Sequence, residues 1–234
     1  LLNFNRKLNF NLNVNEIKKK YLKQIFDKVL KRILISSGAN FKYSYEILIL
    51  SFFLKPNLLV NIVTIYTLAR ILLFLNSQLK LFFYENLSLK FIKKKNIELF
   101  RNHNLLILLS QITSIFFSIL LFFFGKGIYE IWTLNKLDFN SNILILFLIS
   151  INLRLLWVDK SFLINILNKL EYFPYINFLI VIIFSIITYL FVKYYSIYGF
   201  VISLIIYEII MVFLSFYFHN KFFLKINVKK NTNI

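Results

Sequence analysis

Five ionisable residues lie inside candidate membrane spans of the sequence and are the residues best placed to do chemistry there. They are Lys42, Glu46, Arg70, Arg154 and Glu208. Because an ionised side chain at the centre of a membrane helix costs about 2.5 to 3.5 kcal/mol on insertion scales, such residues seldom face lipid. We expect them to line a cationic, protein-lined cavity that holds an anionic group of a substrate. Glu208 would serve there as a counter-ion or as a proton-responsive switch.

The same residues also fit a structural role. Arg70 and Glu208 would neutralise each other as an ion pair, and Arg154 would reach the nearer membrane interface by snorkelling. Lys42 and Glu46 stand four residues apart, which places them on one helix face as a local pair. Because Arg70 lies deeper in its apolar stretch than Arg154 does, it is the better candidate for substrate binding.

No motif of a catalytic centre accompanies these residues. The sequence contains no Gly-rich phosphate loop, no HExxH and no GxSxG, and its ten carboxylates lie mostly in polar segments. With no Cys and two His, it offers neither a thiolate site nor a His-rich metal or haem site. We therefore expect no enzymatic activity of the chain alone, no metal and no cofactor.

The composition indicates which elements position the five residues. Apolar residues make up 59% of the 234, and 29 of them are Phe, whereas soluble domains hold roughly 45 to 50%. The core of a single domain of 234 residues is too small to bury this excess of apolar side chains. We therefore expect an all-α, polytopic membrane protein. The formal net charge of +18 is concentrated in loops and tails. This pattern is typical of membrane orientation and lipid contact rather than of nucleic-acid binding.

Six stretches are long enough to cross a bilayer, which requires roughly 20 helical residues. We predict spans at about 29–54, 58–84, 105–124, 142–158, 172–192 and 197–218. The first is the least apolar, because only its end, 47–54, is predominantly apolar. We expect it to be a full span bent at Gly38, and a re-entrant segment is the alternative.

The charges of the connecting segments orient these spans. Residues 6–32 carry nine Lys or Arg, and segments 85–104, 159–171 and the tail from 219 carry five, two and four. The segments on the opposite side contain only Lys55, Lys126, Lys136 and Lys193. The positive-inside rule therefore places both ends of the chain in the cytoplasm. We predict a basic segment at 1–32 that includes an amphipathic surface helix at 16–32, a six-helix lobe at 33–218 and a basic tail at 219–234.

Four stretches resemble the second half of O-antigen flippases. GKGIYEIWT at 125–133 is similar to the glycine and Trp-Thr junction of that family, and YSIYGFVISLIIYEII at 195–210 is similar to its final hairpin. INILNKLEYFPYINFLIVII resembles its cytoplasmic turn and next helix, and LKPNLLVNIVTIYTLARIL resembles the hairpin that opens its second lobe. Together they cover about 33–218. These flippases belong to the multidrug, oligosaccharidyl-lipid and polysaccharide (MOP) exporter superfamily.

The resemblance implies one six-helix lobe of a two-lobe flippase. Because the chain starts at Leu1 without Met, we expect a C-terminal fragment. The implied activity is movement of an undecaprenyl-diphosphate-linked oligosaccharide across the cell inner membrane by alternating access between the lobes. The implied partners are that lipid-linked oligosaccharide, membrane lipids and a missing N-terminal lobe or a second copy.

Two other interpretations stay open. A structural or proton-pathway subunit of an organelle-encoded respiratory or ATP-synthase complex would fit the A/T-rich codon usage that the abundant Lys, Asn, Ile and Phe indicate, and an unusual start codon would explain the missing Met. Other transporters, including drug exporters of the same superfamily, are the remaining alternative.

Overall fold

The computed structural model describes the backbone of residues 14–166 and 173–231. Within those residues every regular element is an α-helix, as predicted. The helices are α1 (Val14–Phe53), α2 (Pro56–Ala69), α3 (Ile71–Ile92), α4 (Asn96–Thr133), α5 (Ser141–Ile166) and α6 (Phe173–Asn231).

Local chemistry explains several of the helix ends. Pro56 starts α2 because proline lacks an N–H and its fixed φ suits the first helical turn. α4 ends where Leu134 adopts a left-handed conformation with φ of 53°, a common way to stop a helix. α2 and α3 meet at Arg70, whose backbone N–H still donates to the carbonyl oxygen of Tyr66. The predicted span 58–84 is therefore two nearly continuous helices with Arg70 at their junction.

Four segments of the described residues are long and apolar enough to cross a membrane. They are Pro56–Ile92, Asn96–Thr133, Ser141–Leu163 and Phe173–Lys221. Helix α1 does not belong to this set, and it continues unbroken through Gly38, where a bend was predicted. These helices indicate a helical membrane protein, and the count of six spans stays a prediction.

Two connecting segments differ from the prediction. The segment predicted as a loop at 85–104 is helical except for residues 93–95, and α5 continues to Ile166, inside the segment predicted as a loop at 159–171. The loops were placed where apolar character ends. A helix keeps its own backbone hydrogen bonds after it leaves the hydrocarbon, so it extends beyond the end of the apolar stretch.

Helix α6 folds back on itself at Ser196, where φ is 53° and ψ is −130°. Its two arms, 173–195 and 197–231, pack side by side, since the rings of Phe173 and Phe218 are 5.6 Å apart near the open end. Gly199 is required just after the fold, because a Cβ there would overlap the carbonyl group of Phe191. The arms contain the predicted spans 172–192 and 197–218 from residue 173 onward.

Helix α1 runs the length of the first α6 arm. Near one end of the bundle the Tyr175 hydroxyl donates to Asp27 across 3.5 Å, and near the other end the rings of Phe53 and Tyr189 are 5.3 Å apart. Helix α1 thus packs along the bundle from one end to the other, even though its sequence is more polar than those of the other helices.

The interior and the outer surface of the bundle are both apolar. Ile65, Leu144 and Phe147 are at most 1% exposed in the main core, whereas Phe82 and Ile131 are about 80% exposed. Large exposed apolar side chains on all helices are what a lipid environment accommodates.

Candidate functional site

A salt bridge between distant parts of the chain organises the candidate site. The ammonium Nζ of Lys42 on α1 lies 2.8 Å from Oε1 of Glu208 on the second α6 arm. It also lies 3.7 Å from Oε1 of Glu46, one turn along α1. Glu208 is 2% exposed and Glu46 is 5% exposed. The pair predicted from the four-residue spacing of Lys42 and Glu46 is therefore present, and Glu208 extends it to a second helix.

Helix α5 adds two more side chains to this group. The indole Nε1 of Trp157 donates to Oε2 of Glu208 across 2.5 Å, so both carboxylate oxygens of Glu208 have a partner. Arg154, three residues earlier and hence on the same face of α5, interacts electrostatically with Glu208 and Glu46. We call Lys42, Glu46, Arg154 and Glu208 the charge cluster. It ties α1 to α5 and α6.

Two tyrosines border the charge cluster. Lys42 Nζ lies 3.5 Å from the centre of the Tyr207 ring, a cation–π arrangement that offsets part of the cost of burying the ammonium. Tyr66 on α2 is 7% exposed and interacts electrostatically with all three of Glu46, Arg154 and Glu208. Tyr207 thus contacts the cluster directly through its ring, and Tyr66 is its buried neighbour on α2.

Arg70 lies at the margin of this arrangement. Its guanidinium carbon is 5.7 Å from the centre of the Tyr66 ring, and Tyr66 interacts electrostatically with it as with the charge cluster. Arg70 is half-buried. Four of the five residues singled out in the sequence, Glu46, Arg70, Arg154 and Glu208, thus interact with Tyr66. The fifth, Lys42, joins them through its ion pairs with Glu208 and Glu46.

The charge balance of the cluster differs from the cationic cavity expected from the sequence. Lys42 and Arg154 carry two positive charges and Glu46 and Glu208 two negative ones, so the four cancel formally. The cavity beside them, lined by Lys42, Glu46 and Tyr207 among others, holds about 10 Å³, which is room for about one water molecule. A sugar head group does not fit inside it.

A second polar cluster, which sequence reasoning missed, lies between α3, α4 and α5. Asp159 is fully buried, and its Oδ1 lies 2.8 Å from Nζ of Lys80. Its Oδ2 accepts hydrogen bonds from Ser110 and, across 3.4 Å, from Asn76. Asp159 was placed in a loop, and Lys80 lay unremarked in the predicted span 58–84. Asn76 and Lys80, four residues apart in one apolar stretch, were the available signal.

Both histidines adjoin this second cluster. A ring nitrogen of His103, Nε2, lies 2.9 Å from the backbone carbonyl oxygen of Asp159, and the His103 and His219 rings stack with centres 5.3 Å apart. Among the described residues no three His, Cys, Asp or Glu side chains are grouped as metal ligands would be.

An open groove of about 550 Å³ follows the outer face of α4 and α5. Its walls are mostly apolar, and its polar groups have partners within the protein. Asn152 donates to Ser118 and accepts from Ser114, and Gln111 donates to Asp159. The groove therefore presents hydrocarbon to its surroundings.

Comparison with protein-family models, curated proteins and solved structures finds no match to this chain.

Proposed function

We propose that the chain is one lobe of a transporter that moves a polyprenyl-diphosphate-linked oligosaccharide across the inner membrane by alternating access. The observation that supports this most is the convergence of Lys42, Glu46, Arg154 and Glu208 inside a bundle of apolar helices. Charges at membrane depth are costly and mark substrate or ion pathways by default. Arg70, half-buried beside them, is the group we assign to the substrate.

The chemistry of such a substrate matches an arginine. A diphosphate cannot enter hydrocarbon without compensation, because an unpaired buried charge is strongly disfavoured. A guanidinium presents a planar fork of donors that binds phosphate oxygens in bidentate fashion. The charge cluster neutralises itself, so we assign it the task of holding α1, α5 and α6 in place while Arg70 meets the diphosphate.

The proposal includes six passes through the membrane, with both ends in the cytoplasm. Four apolar segments, the last folded at Ser196, account for five passes. We assign the sixth to α1, whose contacts from Asp27 to Phe53 run along the first α6 arm. Its polar residues are tolerated because Lys42 and Glu46 pair inside the bundle.

The proposal also includes an opposing lobe. The cavity beside the charge cluster holds about 10 Å³, far less than a sugar requires, so the passage lies between this lobe and a second wall. That wall is an N-terminal lobe or a second copy of the chain. Alternating access then moves one lobe against the other around the site.

Binding of the lipid-linked substrate tests the proposal. Native mass spectrometry of the detergent-solubilised chain would compare a polyprenyl-diphosphate oligosaccharide with the same glycan on an uncharged polyprenol. We expect the diphosphate form to be retained, and Arg70→Gln to weaken its binding about tenfold, since a hydrogen bond to a charged group contributes about 1.5 kcal/mol or more.

Arg101→Gln is the matched control, because Arg101 is an exposed arginine near the start of α4. It should leave retention unchanged. Equal retention of the charged and uncharged lipids, or equal losses in the two arginine variants, would refute the assignment of Arg70.

A further inference from the structure

The first part of α1 exposes a line of large apolar side chains. It consists of Tyr21, Leu22, Ile25, Phe26, Val29 and Ile33, whose exposed fractions run from 43% to 68%. At about 100° of rotation per residue, the six fall within an arc of about 140° on one side of the helix. We call this surface the α1 stripe.

The opposite side of the same helix faces the rest of the chain. Asp27 accepts a hydrogen bond from Tyr175 on α6 across 3.5 Å, and the Lys31 ammonium lies 2.7 Å from the Asp27 carboxylate. That hydrogen bond from Lys31 holds the pKa of Asp27 below its usual value, so Asp27 is ionised at neutral pH. Leu30 and Leu34 are half-buried on this side. The helix thus turns its polar contacts inward and its apolar stripe outward, the reverse of an amphipathic helix on a soluble protein.

The stripe lies at one end of the bundle. Asp27, near its middle, lies level with Tyr175, the third residue of α6. From Tyr21 to Ile33 the helix advances about 18 Å, at 1.5 Å per residue. The stripe therefore extends to both sides of the level at which the predicted span 172–192 begins, where we expect hydrocarbon to give way to headgroups.

Charge indicates what covers the stripe. Residues 6–32 contain nine Lys or Arg and only two acidic residues, Glu16 and Asp27. A second copy of the chain would bring like charges together at this surface, whereas an anionic bilayer attracts basic residues with about 1 kcal/mol each.

We propose that the α1 stripe docks on an anionic lipid surface, with its apolar side chains at the boundary of headgroups and acyl chains. The basic residues around it contact the lipid phosphates. An apolar face combined with basic residues is typical of helices that bind at a membrane interface. This inference does not depend on whether the chain transports a lipid-linked sugar.

The absence of cysteine from the sequence allows a direct test with single nitroxide labels. Val29→Cys and Leu22→Cys place the label on the α1 stripe, and Lys23→Cys places it on an exposed charged position of the same helix. The full-length chain is reconstituted in phosphatidylcholine vesicles with and without phosphatidylglycerol. Collision rates with oxygen and with a water-soluble nickel chelate then give the depth of each label.

We expect the label at position 29 to lie roughly 5 to 10 Å inside the phosphate level and the label at position 22, about 10 Å farther out along the helix axis, to lie near that level. Both should favour oxygen over the chelate and move deeper when phosphatidylglycerol is present. The label at position 23 should favour the chelate. Chelate access at positions 22 and 29 would place the stripe in water and overturn the proposal. Protection of those positions from both reagents would mean that protein covers the stripe, which would also contradict the proposal. Equal label depths with and without phosphatidylglycerol would show that lipid charge does not contribute to binding.

Discussion

The Lys42–Glu208 pair gives the sharpest quantitative prediction. With side chains 12% and 2% exposed and a separation of 2.8 Å, it is a buried ion pair, and removing one partner of such a pair costs about 3 to 5 kcal/mol. Glu208 keeps Trp157 and Arg154 as neighbours when Lys42 is replaced. We therefore expect Lys42→Met to lower the free energy of unfolding by about 3 kcal/mol, near the lower limit.

Titration with sodium dodecyl sulfate in mixed micelles, followed by tryptophan fluorescence, measures this difference. A change of about 3 kcal/mol shifts the unfolding equilibrium roughly 100-fold. Lys126→Met is the matched control, because Lys126 pairs with Glu130 at 3.7 Å with both side chains exposed. Such a surface pair contributes less than about 1 kcal/mol.

The double variant Lys42→Met/Glu208→Met completes the thermodynamic cycle. Replacing both partners of a buried pair by apolar residues is often close to neutral, so the double variant should recover most of the stability lost by Lys42→Met. Equal costs for the Lys42 and Lys126 variants, or strictly additive effects of the two cluster substitutions, would refute the description of the site as a coupled buried pair.

Two further substitutions test other parts of the bundle by the same titration. Gly199→Ala should lower the free energy of unfolding by about 3 kcal/mol, because the added methyl group would overlap backbone atoms across the α6 fold. Gly127→Ala is the control, since a Cβ there has nothing within 4 Å, and it should be neutral or stabilising by up to about 1 kcal/mol. Similar effects of both substitutions would contradict the packing at the fold. Asp159→Asn should lower the free energy of unfolding by about 3 kcal/mol, because it leaves Lys80 as a buried cation without its counter-ion. Asp138→Asn, at an exposed position, is the control and should change stability by less than about 0.5 kcal/mol. A small effect at Asp159 would mean that burial of Lys80 does not require the Asp159 carboxylate.

Local patterns were sufficient to predict part of this structure. Apolar length predicted the helices, and the break between the predicted spans 172–192 and 197–218 falls at Ser196. The four-residue spacing of Lys42 and Glu46 predicted their pair. Each of these features depends on residues that are close in sequence, because helical geometry alone determines which of those residues are neighbours.

Features that depend on distant contacts could not be predicted in the same way. Lys42 and Glu208 are 166 residues apart, and no pattern in either helix specifies which face meets the other. Asp159 was placed in a loop because apolar character fades before it, yet α5 continues and buries it against Lys80. Whether a charged residue just beyond an apolar stretch is exposed or buried depends on which helices pack beside it. The local sequence pattern does not specify those helices.

We propose that this chain forms one wall of a path for a lipid-linked oligosaccharide. Transfer of such a lipid between leaflets can be measured in vesicles made from the chain with whatever partner copurifies from its native membrane. We expect a fluorescent polyprenyl-diphosphate oligosaccharide to change leaflets in these vesicles, and Arg70→Gln to slow the transfer about tenfold while Arg101→Gln leaves the rate unchanged. Copurification with a respiratory or ATP-synthase assembly that moves none of this lipid would contradict the claim and make the chain a subunit of that assembly.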